Sequence, residues 1–234
     1  MKKLIWKVSS INILYKFLKK ELIKITNLHE KFIVLIQLMI IFFDEIIFDA
    51  ITCFKFSINI SEKNYKKFNG PRPTLKKQIV DFTKYLKKNF QDLENICFLD
   101  IGCGFGKVIY FMKNLNFKKI YGIEIDNYVY RKVKNTFSHN KSISIYNENF
   151  FDYQIPKNIK FFFLFSPFRY NQDYLKLINI LIKYSKKNNI KIYVLLSNKR
   201  SKEFFLSKKF KLEFTKSYLG KSYNSFIVSY EALN

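Results

Sequence analysis

The sequence predicts an α/β fold, a three-layer sandwich whose mostly parallel seven-stranded sheet ends in an antiparallel hairpin. From about residue 74 to residue 207, short apolar runs alternate with amphipathic stretches of helix length, which is typical of parallel strands joined by crossover helices. At the end of the chain, strand-like runs at residues 210–216 and 222–230 are separated by a Leu219-Gly220-Lys221 turn with no helix between them. A helical extension precedes this domain.

The extension and its linker are predicted to occupy residues 1–70, and the α/β domain residues 71–234. Apolar residues recur every three or four positions through residues 4–25, with lysines between them, as in an amphipathic helix. Residues 32–43 are almost uniformly apolar but too few for a membrane span, which needs about twenty. Two packed helices are the first interpretation. Peripheral contact of residues 1–50 with a membrane surface or a partner is the second.

The charge is strongly positive, with 42 Lys and Arg against 18 Asp and Glu and a formal net charge of +24. Such a charge permits a nucleic-acid partner. The lysines are nevertheless spread along the whole chain, and arginine occurs only at Arg72, Arg131, Arg169 and Arg200. The pattern indicates a general compositional bias, so nucleic acid is not the favoured partner.

The cysteines and histidines favour a reduced, metal-free protein. Cys53, Cys97 and Cys103 have no paired spacing, so they are interpreted as free thiols of a cytoplasmic protein. With only His29 and His139 available, no metal site is expected.

The elements of the domain follow a turn at residues 69–73, in which two prolines mark the domain boundary. Thr74 is predicted to cap a first helix that continues to Lys88. Strands are then predicted at residues 96–101, 119–125, 143–146, 161–165 and 191–196, and helices at residues 106–115, 127–138, 173–184 and 199–207. The run at 161–165 is apolar on both faces, which is typical of a central buried strand.

The first strand leads into a glycine loop, Asp100-Ile101-Gly102-Cys103-Gly104-Phe105-Gly106. Glycine at every second position indicates a backbone that turns tightly and lies close to something small. Ligands of an open parallel sheet bind at the carboxyl ends of its strands. The next strand ends at Glu124, about 20 residues past the glycines, where a carboxylate can accept both hydroxyls of a ribose.

These two stretches, DIGCGFG and YGIEID, resemble the motif pair of the class I S-adenosylmethionine-dependent methyltransferases. The resemblance covers residues from about 74 to the C-terminus. A dinucleotide-binding dehydrogenase is the main alternative, but it prefers its third glycine at the position of Lys107.

The resemblance implies S-adenosylmethionine as the cofactor and a role for each motif residue. It implies that Asp100 orients the loop or the cofactor's amino group, and that Glu124 binds the ribose hydroxyls. Gly102, Gly104 and Gly106 would let the backbone approach the methionine and the ribose. Asn149 and Phe150 would meet the adenine, with Asn149 in place of the family's usual acid, and Asp152 or Glu148 are the alternatives for that acid.

The fourth strand runs into Ser166-Pro167-Phe168, which resembles a contracted form of the [DNS]-P-P-[YFW] motif of enzymes that methylate nitrogen. The resemblance implies that Ser166, Pro167 and Phe168 are the catalytic residues, which position a target amine for in-line displacement. An ordinary strand-ending turn is the alternative. The nearest likeness is to small bacterial methyltransferases that are distantly similar to the Dot1-like and mitochondrial lysine methyltransferases.

The expected function is therefore methyl transfer to a nitrogen of a protein side chain or another amine, with the acceptor itself unknown. Two alternatives stay open, namely O-methylation of a glycan or small metabolite, and a nucleoside-binding module without catalysis.

Overall fold

The structure is a computed structural model of the 234-residue chain, and it describes residues 29, 32–33, 35–36, 39–40, 43–44, 47, 74–165, 168, 170–218 and 223–232. The chain divides into two compact units, residues 1–58 with 217–223, and residues 59–216 with 224–234. The helix predicted at residues 4–25 and the boundary turn at 69–73 lie outside the described residues. Among the residues that are described, no helix is long and apolar enough to cross a lipid bilayer.

The second unit alternates strands and helices as the sequence predicts. Its helices are α1 Lys76–Asn89, α2 Lys107–Met112, α3 Asn127–Thr136, α4 Asn171–Asn188 and α5 Lys199–Leu206, with 3₁₀ turns at Leu93–Asn95 and Lys113–Leu115. Its strands are β1 Cys97–Ile101, β2 Lys119–Ile123, β3 Ile143–Tyr146, β4 Ile159–Leu164, β5 Ile192–Leu196, β6 Lys211–Tyr218 and β7 Tyr223–Tyr230. Most predicted boundaries differ from these by one or two residues.

The strands form one seven-stranded sheet in the order β3-β2-β1-β4-β5-β7-β6. Strands β1 to β5 are parallel, and β7 pairs antiparallel with β5, with Leu196 opposite Phe226. The predicted parallel sheet with a terminal hairpin is confirmed, and β7 lies between β5 and β6. Strand order reverses between β1 and β4, so the carboxyl ends of these two strands border the crevice where such sheets bind ligands.

Each face of the sheet is covered by helices, and β4 shows why. Phe161 and Phe163 contribute to the core beneath α1 and α2, while Phe162 and Leu164 contribute to the core beneath α4 and α5. Because side chains alternate between faces, a strand covered on both sides must be apolar throughout. The prediction of a buried central strand is therefore confirmed.

The predicted helix cap at Thr74 is wrong. The N-cap of α1 is Leu75, whose backbone N–H donates to Gln78 Oε1 at 3.3 Å. The same Gln78 side chain donates from Nε2 to the Asn224 carbonyl at 2.7 Å, which ties α1 to β7. The local preference for Thr as a cap is overridden because Gln78, one turn into the helix, accepts from the Leu75 N–H and also donates to the backbone of a distant strand.

Gly122 in β2 has no space for a side chain. An added Cβ would lie 2.7 Å from Ile109 Cδ1, 2.9 Å from Ile145 Cδ1 and 3.0 Å from Cys103 Sγ. We expect Gly122→Ala to lower the free energy of unfolding by about 1–3 kcal/mol, as overpacking does, measured by urea denaturation. The atoms that the Cβ would meet are the ends of flexible side chains. The double variant Gly122→Ala/Ile109→Val should therefore lose less stability than the sum of the losses of the two single variants. Strict additivity would contradict the proposed clash.

Candidate cofactor site

The loop between β1 and α2 is held by its own amides at the end of β2. The N–H groups of Gly102 and Cys103 both donate to the Ile123 carbonyl, at 3.0 and 2.9 Å. The N–H of Gly104 donates to Glu124 Oε2 at 2.9 Å. These bonds fix the loop in the ligand-free protein and leave it few amides with which to bind a ligand.

All three glycines of the loop have left-handed backbone conformations, with φ of 74° at Gly102, 54° at Gly104 and 84° at Gly106. L side chains rarely adopt such angles, which explains the spacing in the sequence. Packing is a second reason for glycine at position 106. A Cβ there would lie 2.5 Å from Phe137 and 2.7 Å from Val133, so α3 packs directly against the loop backbone.

Glu124 is buried at the end of β2, with 7% of its surface exposed. Its Oε2 accepts from Gly104, and its Oε1 accepts from the N–H of Asp126 at 2.9 Å. Burial raises the pKa of this carboxyl, and the hydrogen bonds from Asp126 and Gly104 oppose the rise. An ionised carboxylate has about four lone-pair positions, so Glu124 retains capacity for two ribose hydroxyls.

Asp100 is the most unusual polar residue of the site. It is the penultimate residue of β1, with only 1% exposed, and its Oδ2 has no hydrogen-bond partner among the described residues. Burial raises the pKa of Asp100 well above its usual range, and the charge of Glu124 raises it further. A buried carboxylate oxygen without a donor is costly, so Asp100 is a candidate contact for a ligand that supplies a donor or a positive charge.

Replacing Asp100 by Asn is expected to stabilise the ligand-free protein in a pH-dependent way. Because the pKa of Asp100 is higher in the folded than in the unfolded state, the folded state binds more protons between about pH 4 and the raised pKa. The free energy of unfolding of the wild type therefore falls as pH rises through that window, whereas Asp100→Asn does not undergo this fall because its side chain does not titrate. Thermal melts should show an advantage for Asp100→Asn that grows with pH. An advantage independent of pH would contradict the assignment.

Asn149 and Phe150 follow β3, as expected for adenine-binding residues, but both already serve the local turn. Asn149 Oδ1 accepts from the N–H of Phe151 at 3.2 Å. Phe150 is buried, and its carbonyl accepts from the N–H of Tyr153 at 3.2 Å. Their contact with adenine stays a prediction.

Sequence reasoning missed Asn147, which joins the ends of two strands. Its Nδ2 donates to the carbonyls of Glu124 at 2.8 Å and Ile125 at 3.2 Å. The signal was available, since Asn147 comes directly after β3, the strand beside β2. Asn147 therefore positions the backbone that carries Glu124. Asp126 has a separate role as the N-cap of α3, where its Oδ1 accepts from the Val129 N–H at 2.9 Å.

Of the three predicted catalytic residues, Ser166 and Pro167 lie outside the described residues. Phe168 is described and is 3% exposed. Its ring stacks on Phe151 at 5.2 Å between centroids and meets Tyr174 edge-on at 5.5 Å. The aromatic residue of the motif thus belongs to the core beneath α4, and its catalytic role stays a prediction.

Unsatisfied polar atoms also gather at the end of β5, which the sequence did not indicate. Ser197 directly follows β5, and the β5–β7 register, continued by one residue beyond Leu196 and Phe226, places it opposite Ser225. Both residues are buried, and neither hydroxyl has a hydrogen-bond partner among the described residues. Asn198 uses Oδ1 to cap α5 through the Ser201 N–H at 2.7 Å, but its Nδ2 has no such partner. The end of β5, which lies beside the end of β4, therefore has side-chain groups that can form hydrogen bonds with a polar ligand.

The charges and hydrogen bonds of the site favour one kind of ligand. Asp100 and Glu124 present two carboxyl groups, and amides of Gly102, Cys103 and Gly104 already donate within the protein. A pyrophosphate binds through free amides of such a loop. An acid after the second strand is common to dinucleotide sites as well, so the distinguishing features are Asp100 and the amides already in use. Both features suit a nucleoside bearing positive groups, such as S-adenosylmethionine with its ammonium and sulfonium.

No protein-family model matches the sequence, and no curated protein matches it. Solved structures share the fold. A protein from Pyrococcus horikoshii provisionally assigned as an RNA methyltransferase superimposes with a TM-score of 0.55 at 13% identity, over 79% of this chain and 95% of its own. An RNA methyltransferase from Salinibacter ruber, in complex with S-adenosyl-L-homocysteine, gives 0.52 at 15% identity, over 67% and 92%.

A third solved structure, a SAM-dependent methyltransferase from Aquifex aeolicus, superimposes with a TM-score of 0.50 at 13% identity, over 65% of this chain and 90% of its own. At these identities the likeness shows the fold alone. The chain has the Rossmann-like fold of the class I S-adenosylmethionine-dependent methyltransferases. The likeness to the Dot1-like enzymes stays a prediction.

Proposed function

We propose that the protein is an S-adenosylmethionine-dependent methyltransferase that methylates a nitrogen of a protein side chain or another amine. The observation that carries the proposal is the pairing of an internally bonded glycine loop with two buried carboxyl groups, Asp100 and Glu124. Asp100 lies on β1, which borders the point where the strand order reverses and where this fold binds its ligand, and Glu124 follows the neighbouring strand β2.

In this proposal, Glu124 holds the ribose hydroxyls and Asp100 accepts from the amino group of the methionine. The glycine loop, fixed by Ile123 and Glu124, presents bare backbone to the same ligand. The cofactor supplies an electrophilic methyl group on a sulfonium. The remaining task of the protein is to place the acceptor nitrogen in line with that methyl and to exclude water, which is a matter of positioning.

The acceptor is assigned to the ends of β4 and β5. The Ser166-Pro167-Phe168 stretch supports an amine, because a side-chain oxygen and a backbone carbonyl can both accept from an N–H. The unsatisfied hydroxyls of Ser197 and Ser225 support a polar acceptor on the same edge. An oxygen acceptor on a glycan or small metabolite is the alternative within the same chemistry.

RNA is a second candidate acceptor. It is supported by the net charge of +24 and by the fold shared with the RNA methyltransferase from Salinibacter ruber. Cations also lie over aromatic rings near the end of β4, where Lys176 Nζ is 4.3 Å from the Phe151 ring centroid. Binding of RNA that weakens steeply with salt would favour this acceptor over an amine of a protein.

Calorimetric titration with S-adenosylmethionine and S-adenosylhomocysteine tests the cofactor directly. Binding of both is expected, and binding of neither by protein shown to be folded would refute the proposal. Binding without methyl transfer would support the nucleoside-binding module instead. Transfer of a labelled methyl group into a lysate, separated into protein, RNA, glycan and lipid, then identifies the acceptor class, with label in the protein fraction expected.

A further inference from the structure

The first compact unit carries an exposed apolar face. The described residues between His29 and Ile47 are all helical. Those with large exposed apolar side chains on one side, here called the apolar stripe, are Phe32, Ile33, Ile36, Met39, Ile40, Phe43 and Ile47. Their exposed fractions range from 40% at Ile33 to 62% at Ile40.

Their spacing places these side chains together. At about 100° per residue, the stripe covers roughly 120° of the helix circumference and extends about 24 Å along the axis. Asp44, which is also described, falls about 20° beyond Ile33, so the stripe itself carries no charge. A continuous apolar surface of this kind marks an interaction site, because isolated exposed apolar residues do not align over four turns.

The charge of the preceding sequence indicates what covers the stripe. Residues 1–31 contain many lysines and few acids. The lysines are Lys2, Lys3, Lys7, Lys16, Lys19, Lys20, Lys24 and Lys31, and the acids are Glu21 and Glu30. A surface that is apolar where the stripe lies and anionic around it is complementary to both features, and the headgroup region of an anionic bilayer is such a surface.

Other occupants fit less well. A second copy of this chain packed stripe to stripe would bury the apolar side chains, but it would leave the positive charge of the preceding sequence without a partner, whereas an anionic surface neutralises that charge. RNA would meet the lysines and stack bases on Phe32 and Phe43, but the other five side chains of the stripe are not aromatic and would stay exposed to water. We propose that the apolar stripe docks the protein on the surface of an anionic membrane, lying in the interface without spanning it.

The test is sedimentation of the full chain with lipid vesicles. Binding to vesicles of phosphatidylserine and phosphatidylcholine is expected to exceed binding to phosphatidylcholine alone by more than tenfold, and to weaken with salt. The variant Ile36→Asn/Ile40→Asn should lose more than tenfold of the binding. Leu212→Asn, which removes an apolar side chain 45% exposed on β6, is the matched control and should bind as the wild type does.

A spectroscopic variant makes the test independent of any loss of folding. Trp6 is the only tryptophan, so Trp6→Phe/Phe32→Trp carries one tryptophan within the stripe. Its emission should shift to the blue on anionic vesicles and be quenched by brominated acyl chains. An unshifted emission, vesicle binding that survives Ile36→Asn/Ile40→Asn, or a concentration-dependent dimer that this variant abolishes would each overturn the proposal.

Discussion

Glu124→Ala is expected to fold and to lose most of its affinity for S-adenosylmethionine. If the carboxylate holds the ribose hydroxyls, its removal deletes charge-assisted hydrogen bonds worth about 1.5–3 kcal/mol, so binding should weaken on the order of 10- to 100-fold. Isothermal titration calorimetry measures the loss. Glu203→Ala is the matched control, since Glu203 is an exposed carboxylate of α5 that pairs only loosely with Lys199 at 4.0 Å.

Because Glu124 also accepts from Gly104, the variant alone does not separate ribose binding from support of the loop. An analogue of S-adenosylhomocysteine without the two ribose hydroxyls completes a thermodynamic cycle. Wild-type protein should bind the analogue more weakly than S-adenosylhomocysteine, whereas Glu124→Ala should bind the two alike. Equal discrimination by both proteins would assign Glu124 to the loop and refute its contact with the ribose.

Gly106→Ala is expected to destabilise the protein by roughly 2–5 kcal/mol, with about 1–2 from the left-handed backbone and about 1–3 from overpacking. The φ of Gly106 is 84°, and its Cβ would lie within 2.5 Å of Phe137 and 2.7 Å of Val133. Chemical denaturation measures the change. The ligand is absent from this measurement, so the result concerns the packing of α3 on the loop.

A second substitution separates the two contributions. Phe137→Leu removes the ring atoms that a Cβ at position 106 would meet, so Gly106→Ala should cost less in that background. The backbone contribution should remain, since φ at position 106 does not depend on the ring. If the cost is the same in both backgrounds, the Phe137 ring does not constrain the loop.

The order of elements followed from local patterns, and so did the loop. The alternation of apolar runs with amphipathic stretches predicted the positions of the strands, because a strand that is buried on both faces must be apolar throughout. Glycine spacing located the loop because positive φ restricts the residue type. Both signals are local, so they can be recognised in one sequence without an alignment of homologues.

What escaped prediction depends on contacts between distant segments. Thr74 has the chemistry of a cap, but Gln78 holds the start of α1 because its amide also reaches Asn224. Ser197 and Ser225 come together through the antiparallel pairing of β5 with β7, and no local sequence pattern predicts the register of that pairing. Asn147 acts on Glu124 across neighbouring strands for the same reason.

The link of α1 to β6 and β7 bears on how the protein is made. Gln78 donates to Asn224, 146 residues later, and Asp81 pairs with Lys216 at 2.9 Å. Synthesis delivers α1 from the ribosome well before β6 and β7. A chain that has been elongated only as far as β5 lacks both bonds, so the core beneath α1 closes only when β6 and β7 have left the exit tunnel. The domain can therefore fold cooperatively only after all of its strands have been synthesised.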